Sequence, residues 1–196
     1  MFSAAILIGG KATRFEGRDK SALLVDGQTI LSRQLAAVAD VVDDVMLVGG
    51  TRRYETQTPV HYVEDVVPGC GPLSGLHAAL TAARSNGVLL LACDMPFLCE
   101  PMLRYLLSLA EEGDVVVPQT NRGYHPLCAV YSRACLDPAA RRLARGEFKI
   151  ASLFEEMRVR VVTADALEAF GDPDRLLANV NTSTEYRAIE ANRMQS

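Results

Sequence analysis

Residues 4–8 read Ala-Ala-Ile-Leu-Ile and empty directly into Gly9 and Gly10. A continuous apolar run with no polar alternation has to be buried on both faces, which makes it an inner strand of a parallel sheet rather than a half-exposed one. The two glycines remove every Cβ at the point where the strand ends, so a ligand can approach the backbone there. Lys11, Arg14, Arg18 and Lys20 follow within one loop's reach. A strand that delivers glycine backbone and several cations to one place is built to receive a phosphate group, as a nucleotide carries.

Two common phosphate loops do not fit these residues. A P-loop separates its glycines by four residues and continues with Lys and Ser or Thr, whereas Gly10 and Gly17 are separated by six and Arg18 follows Gly17. The dinucleotide motif G-x-G-x-x-G is also absent from Gly9, Gly10 and Gly17.

Beyond the loop, short β-branched and leucine-rich runs alternate with longer helical patterns. Strands are predicted near 4–8, 45–48, 60–63, 88–92 and 115–117, and helices near 30–39, 73–84 and 101–111. The β-α alternation predicts an α/β chain with a mostly parallel sheet covered on both faces. Residues 127–131, read as antiparallel, and 158–162 are further strand candidates. Helices near 138–144, 149–157 and 183–192 complete a three-layer α/β/α sandwich. No linker or repeat divides the 196 residues, so a single domain, 1–196, is expected.

Composition narrows the partners. The net charge of −4, from 20 basic and 24 acidic residues, excludes general nucleic-acid binding and makes anion recognition local. Cys70, Cys93, Cys99, Cys128 and Cys135 contain no C-x-x-C pair and lack histidines at zinc spacing, as expected for reduced thiols in a cytoplasmic protein. No apolar stretch approaches the roughly 18 residues of a membrane helix, and no basic leader precedes the first apolar run, so neither membrane insertion nor secretion is expected.

In open α/β sheets ligands gather beyond the carboxyl ends of the strands. Gly9 and Gly10 follow the first strand, Asp65 follows the run ending at Val63, and Asp94 follows Val88–Cys93. A carboxylate ending such an apolar run is costly to desolvate unless it meets a cation, and Mg²⁺, which takes carboxylate oxygen and substrate phosphates together, would meet that need. The alternative is a turn or cap aspartate ahead of Pro96. Glu64-Asp65 reads equally as a solvated strand end or as a nucleotide or metal contact. Pro72 can open the next helix, and Gly75 lets backbone come close to a flat base; the alternative is an ordinary loop with an N-terminal proline.

From Leu7 the chain reads Leu-Ile-Gly-Gly-Lys-Ala-Thr-Arg-Phe-Glu-Gly-Arg-Asp-Lys-Ser-Ala-Leu-Leu. This resembles the L-x-G-G-x-x-x-R-(M/F)-x-G-x-D-K-x-x-L-L opening of nucleotidyltransferases, and among them the molybdenum cofactor guanylyltransferases of the MobA family. Glu64-Asp65 ahead of Pro68-Gly69-Cys70-Gly71-Pro72-Leu73-Ser74-Gly75, then Cys93-Asp94-Met95-Pro96 and Asn179-Val180-Asn181-Thr182, extend the likeness over nearly the whole chain. The resemblance implies a Rossmann-like nucleotidyltransferase sheet and GMP transfer from GTP to the terminal phosphate of molybdopterin, with Mg²⁺ as cofactor. It places the nucleotide on Leu7, Ile8, Gly9, Gly10, Lys20, Asp65, Gly75 and Asp94, in a half spanning about 1–100.

It also makes Asp94 the metal ligand and gives Arg14 and Lys20 the neutralisation of phosphate charge. The pterin falls to the half spanning about 101–196, on His125, Lys149, Asn179 and Asn181. Asn179 and Asn181 face one side if that segment is extended; otherwise they are cap asparagines. Of the basic cluster Arg141, Arg142, Arg145 and Lys149, Arg142 is read as a solvated helix side and Lys149 as the ligand. Molybdoenzyme chaperones or other cofactor-biosynthesis proteins are implied partners.

Two departures stand out: Glu16 sits where many relatives carry a second glycine, and Val48-Gly49-Gly50 replaces a segment that carries a nucleotide-contacting asparagine in some relatives. The readings left open are cytidylyl transfer, a sugar-phosphate nucleotidyltransferase, and a non-catalytic nucleotide or molybdopterin carrier or chaperone.

Overall fold

A computed structural model of the chain describes residues 2–8, 14, 15, 18–65, 70–180, 182, 184, 185 and 187, with the backbone alone at 14, 15 and 18–20. In chain order the strand β1 (Ser3–Leu7) is followed by a small hairpin of β2 (Arg14–Phe15) and β3 (Arg18–Asp19), and a second of β4 (Leu24–Val25) and β5 (Gln28–Thr29). Helix α1 (Ile30–Val38), β6 (Asp44–Val48), β7 (His61–Val63), α2 (Pro72–Ala82), β8 (Gly87–Ala92) and α3 (Glu100–Ser108) form the first half. Then come β9 (Val115–Thr120), β10 (Gly123–Tyr124), β11 (Cys128–Ser132), α4 (Leu136–Ala144), β12 (Val159–Thr163), α5 (Ala164–Leu167) and α6 (Pro173–Leu176).

Eight strands make one sheet in the order β10-β9-β11-β8-β1-β6-β7, with β12 pairing parallel to β9. The strands β1, β6, β7 and β8 are parallel, while β11 runs against both β8 and β9. Alternate side chains of each inner strand feed opposite layers. Ala4, Ile6, Val45, Leu47, Leu89 and Leu91 pack with Leu31 and Leu35 of α1 and Met102, Leu103 and Leu106 of α3. Ala5, Met46, Val48, Val88 and Leu90 pack with Leu73, Leu76 and Leu80 of α2 and Ala139 of α4. The result is the three-layer sandwich expected from the alternation of strand and helix patterns.

Several local outcomes differ from the sequence reading. β9 runs to Thr120 although Pro118 reads as a strand end. Proline cannot donate, yet its carbonyl accepts the His125 N–H at 2.9 Å, which keeps the hairpin paired. The segment expected as a helix over 149–157 is a 3₁₀ stretch, Ile150–Glu155. Of the helix expected over 183–192, residues 184, 185 and 187 are helical. Thr182 and Glu185 form a reciprocal capping box ahead of it, each backbone N–H donating to the other's side-chain oxygen, at 3.2 and 3.1 Å.

Arg142 corrects another expectation. Its side chain is only 11% exposed and reaches Glu147 at 2.8 Å, Glu156 at 3.1 Å and Glu155 at 3.6 Å. A guanidinium with five donors satisfies three carboxylates at once, so this arginine ties α4 to the segment after it instead of lying in water. All five cysteines are free thiols, and among the described residues no helix is long and apolar enough to cross a membrane.

Candidate active site at the strand ends

The register of the sheet assembles the site. Leu7 is level with Val48 on one side and Ala92 on the other, and Val48 is level with Val63. The residues that follow therefore fan out along one edge: Ile8 after β1, Gly49 and Gly50 after β6, Glu64 and Asp65 after β7, Cys93 and Asp94 after β8. Gly49 and Gly50 have φ of 76° and 70°, and a Cβ on Gly50 would stand 3.2 Å from the Ile8 carbonyl oxygen. Backbone conformation and contact with the end of β1 both favour glycine there.

Asp94 is held from the far end of the chain. The Asn179 amide Nδ2 donates to Asp94 Oδ1 at 3.0 Å, and the Val180 N–H donates to the Asp94 carbonyl at 2.7 Å. Asn179 is exposed and Val180 buried, the alternation expected of an extended segment. Asn179 thus meets the proposed metal-binding carboxylate directly. Asn181 lies outside the described residues.

Asp65 sits half-buried, and burial raises its carboxyl above the ordinary range. Gly75, buried in α2, faces β1: a Cβ there would come within 2.6 Å of Leu7 Cδ2 and 3.6 Å of Asp65 Oδ1. Its smallness therefore seats α2 against the residues at the edge, and the close approach that the sequence suggests is met first by Leu7. Pro72 opens α2 as its first residue, as expected.

On the other side of β8, the Ala92 N–H donates to the Leu127 carbonyl at 2.8 Å, which brings the His125-Pro126 turn to the same edge. His125 Nε2 lies 3.0 Å from Thr120 Oγ1, and burial lowers its pKa below the usual 6.5, so the ring is neutral at neutral pH. Tyr131, fully buried, donates from its hydroxyl to the Pro126 carbonyl at 2.7 Å and fixes the turn from beneath. Lys149 is exposed next to Phe148, whose carbonyl oxygen is 3.6 Å from the Cβ position of Gly71 at the start of α2. Lys149 consequently flanks the nucleotide half.

Gly9, Gly10 and Glu16 lie outside the described residues. Arg14 and Lys20 are described in backbone only: Arg14 opens the hairpin of β2 and β3, and Lys20 begins a 3₁₀ turn, Lys20–Ala22. The buried Ser21 hydroxyl donates to the Tyr54 hydroxyl at 2.9 Å, tying that turn to the segment after β6. In this segment the Arg53 guanidinium stacks 4.0 Å from the Tyr62 ring centroid. Sequence reading missed this anchor, and it missed Gln34, an amide within the buried stripe Ile30, Leu31, Gln34, Leu35 and Val38 of α1. A polar residue in an otherwise apolar helical stripe was the available signal.

Along this edge stand glycines at the end of β6 and carboxylates at the ends of β7 and β8, with two strands between them, and Asn179 is brought to the second of these carboxylates. Known proteins resemble the chain over nearly all of its length. The family model described as the MobA-like NTP transferase domain matches residues 4–190. The molybdenum cofactor guanylyltransferase of Desulfosudis oleivorans is 36% identical over 188 residues, 95% of this chain and 93% of that protein. The probable molybdenum cofactor guanylyltransferase of Pelotomaculum thermopropionicum is 33% identical over 183 residues, 93% of this chain and 89% of that protein. The crystal structure of molybdopterin-guanine dinucleotide biosynthesis protein A from Archaeoglobus fulgidus superposes with a TM-score of 0.80 at 24% identity, covering 99% of this chain and all of that one. A match that begins in the first strand and continues past the closing Asn-Val-Asn leaves no part of the edge outside it, and the chain belongs to the MobA-like NTP transferase family.

Proposed function

We propose that this protein is a nucleotidyltransferase that moves GMP from GTP to the terminal phosphate of molybdopterin and releases pyrophosphate. The observation that carries the reading is the level row of strand ends bearing Asp65 and Asp94, with Asn179 fastened to Asp94, in a chain of this family.

Molybdopterin's phosphate is anionic at neutral pH and attacks the α-phosphorus without a general base. A new phosphorus–oxygen bond forms as the bond to pyrophosphate breaks, so the protein's task is alignment and charge neutralisation. Lys20 and Arg14 place cations on the triphosphate, and backbone N–H groups at Gly9-Gly10 receive its oxygens. The donor set fits Mg²⁺. Asp94 offers hard carboxylate oxygen at the end of β8, and Asp65, at the end of β7 on the same edge, is a carboxyl whose ionisation burial opposes and a cation would favour.

Among the described residues no group of three or more His, Cys, Asp or Glu forms a cage, and Mg²⁺ is ordinarily held by one or two carboxylates with substrate phosphates and water. Held by Asp94, Mg²⁺ supplies charge neutralisation at the triphosphate. Asn179, Asn181, His125 and Lys149 form the pterin side. On this reading residues 1–100 bind nucleotide and 101–196 bind pterin, and the Asn179–Asp94 hydrogen bond joins the two halves. The five free cysteines support a cytoplasmic setting, where a molybdoenzyme chaperone would accept the product.

Pyrophosphate release from the purified protein with molybdopterin and Mg²⁺, measured with GTP, CTP, ATP and UTP in parallel, tests the reading. Release with GTP is expected; release with CTP alone would replace the base assignment, and binding without release would replace catalysis by carriage.

Gly75→Ala gives a narrower test. The added methyl would stand 2.6 Å from Leu7 Cδ2, so the end of Leu7, a residue of the proposed nucleotide site, has to shift. The KM for GTP is expected to rise on the order of tenfold, about 1.4 kcal/mol, with the melting temperature within about 4 °C of wild type. An unchanged KM would separate Leu7 from the nucleotide.

A further inference from the structure

Gln34 is 1% exposed and faces the turn that carries Asp94. Its Nε2 donates to the Ala92 carbonyl at 2.6 Å and to the Met95 carbonyl at 3.1 Å, the two carbonyls that bracket Cys93-Asp94. Two donors on one nitrogen meet two acceptors, and because both partners are carbonyls the amide can lie only this way round. Its Oε1 is buried with no partner among the described residues, so the side chain accepts an unsatisfied oxygen in order to hold the turn. The neighbouring Arg33 adds a third tie from α1, its Nε donating to the Pro96 carbonyl at 3.1 Å.

We propose that Gln34 is a positioning residue for transfer, holding the Asp94 carboxylate where metal and triphosphate meet it. The inference rests on the proposed role of Asp94. From one side Asn179 and Val180 fix the Asp94 carboxylate and carbonyl; from the other Gln34 clamps the backbone on both flanks. The clamp matters because β8 ends at Ala92, and among the described residues no strand ladder continues beyond it. A loosened turn lets the carboxylate drift, and displacement of about 1 Å can cost on the order of a hundredfold in rate.

The test compares the full-length wild type with Gln34→Leu, Gln34→Glu, Asp94→Asn and Leu153→Ala, the last a core change in the opposite layer that controls for lost stability. Mn²⁺ affinity in the presence of GTP is read by electron paramagnetic resonance, beside kcat, KM and melting temperature. Gln34→Leu is expected to weaken Mn²⁺ binding about tenfold and lower kcat about a hundredfold, with Mn²⁺-free GTP binding kept, whereas Leu153→Ala keeps kcat and Mn²⁺ affinity while folded.

Gln34→Glu provides a pH signature and carries the test alone should the leucine variant not fold. An ionised carboxylate repels both carbonyls, and a protonated one can donate to one of them. Its activity relative to wild type should therefore recover as pH falls. A folded Gln34→Leu with wild-type kcat and Mn²⁺ affinity, or a Gln34→Glu with a wild-type pH profile, would overturn the role of Gln34. Unchanged Mn²⁺ affinity in Asp94→Asn would instead remove the premise about Asp94.

Discussion

Asp94→Asn is expected to lower kcat/KM for GTP about 10³-fold, roughly 4 kcal/mol of transition-state stabilisation, with the melting temperature unchanged within about 4 °C. Asparagine keeps the shape, and its amide oxygen can still accept the hydrogen bond that Asn179 donates at 3.0 Å. The main-chain bond from Val180 does not depend on the side chain. Only the charge goes, and with it the hard oxygen ligand and the neutralisation it supports at the triphosphate. Steady-state kinetics across a Mg²⁺ titration check this: the loss should persist at high Mg²⁺ if the carboxylate also orients the phosphates. Full activity would remove Asp94 from the site.

Lys20→Met should cost about 10²-fold in kcat/KM, roughly 2.7 kcal/mol. The residue begins the 3₁₀ turn Lys20–Ala22, anchored by the buried Ser21 hydroxyl on Tyr54. The turn therefore survives the substitution, and circular dichroism should be unchanged. Lys20→Arg should restore only part of the rate, because a planar fork does not replace a compact ammonium at one point. Wild-type kinetics in the methionine variant would assign the phosphate charge to other cations of the loop.

Much of the fold was legible because inner parallel strands declare themselves. Ala4–Ile8 and Val88–Leu91 are apolar without interruption, and both turned out to be central strands with side chains feeding two layers. The antiparallel course of β11 was legible too, since it follows the turn at His125-Pro126 without a crossover helix. Two-residue strands such as β10, at Gly123–Tyr124, were not, because two residues carry no period. The length of β9 was hidden by Pro118, whose cost the hairpin absorbs through its carbonyl.

Of the site, the residues at strand ends were legible because each follows an apolar run. Their joining was not. The bond from Asn179 to Asp94 spans 85 residues and depends on how the closing segment returns to the edge, which no local pattern records. The sequence reading placed Arg142 in solvent from helical spacing alone, and three glutamates reached it from beyond the helix. Gln34 escaped notice for the opposite reason: its position in a buried stripe reads as packing, and its partners are main-chain carbonyls that side-chain identities do not reveal.

The central claim is that this edge joins GMP to molybdopterin, and the most direct measurement follows the phosphorus atoms. GTP labelled at either the α- or the γ-phosphate is incubated with the purified protein, Mg²⁺ and molybdopterin, and the products are separated and weighed by mass spectrometry. The account predicts that the α-label enters a product with the mass of the guanine dinucleotide form, while the γ-label leaves wholly as pyrophosphate and neither moves without molybdopterin. An α-label that stays in GTP, or leaves as free GMP with molybdopterin unchanged, would contradict it.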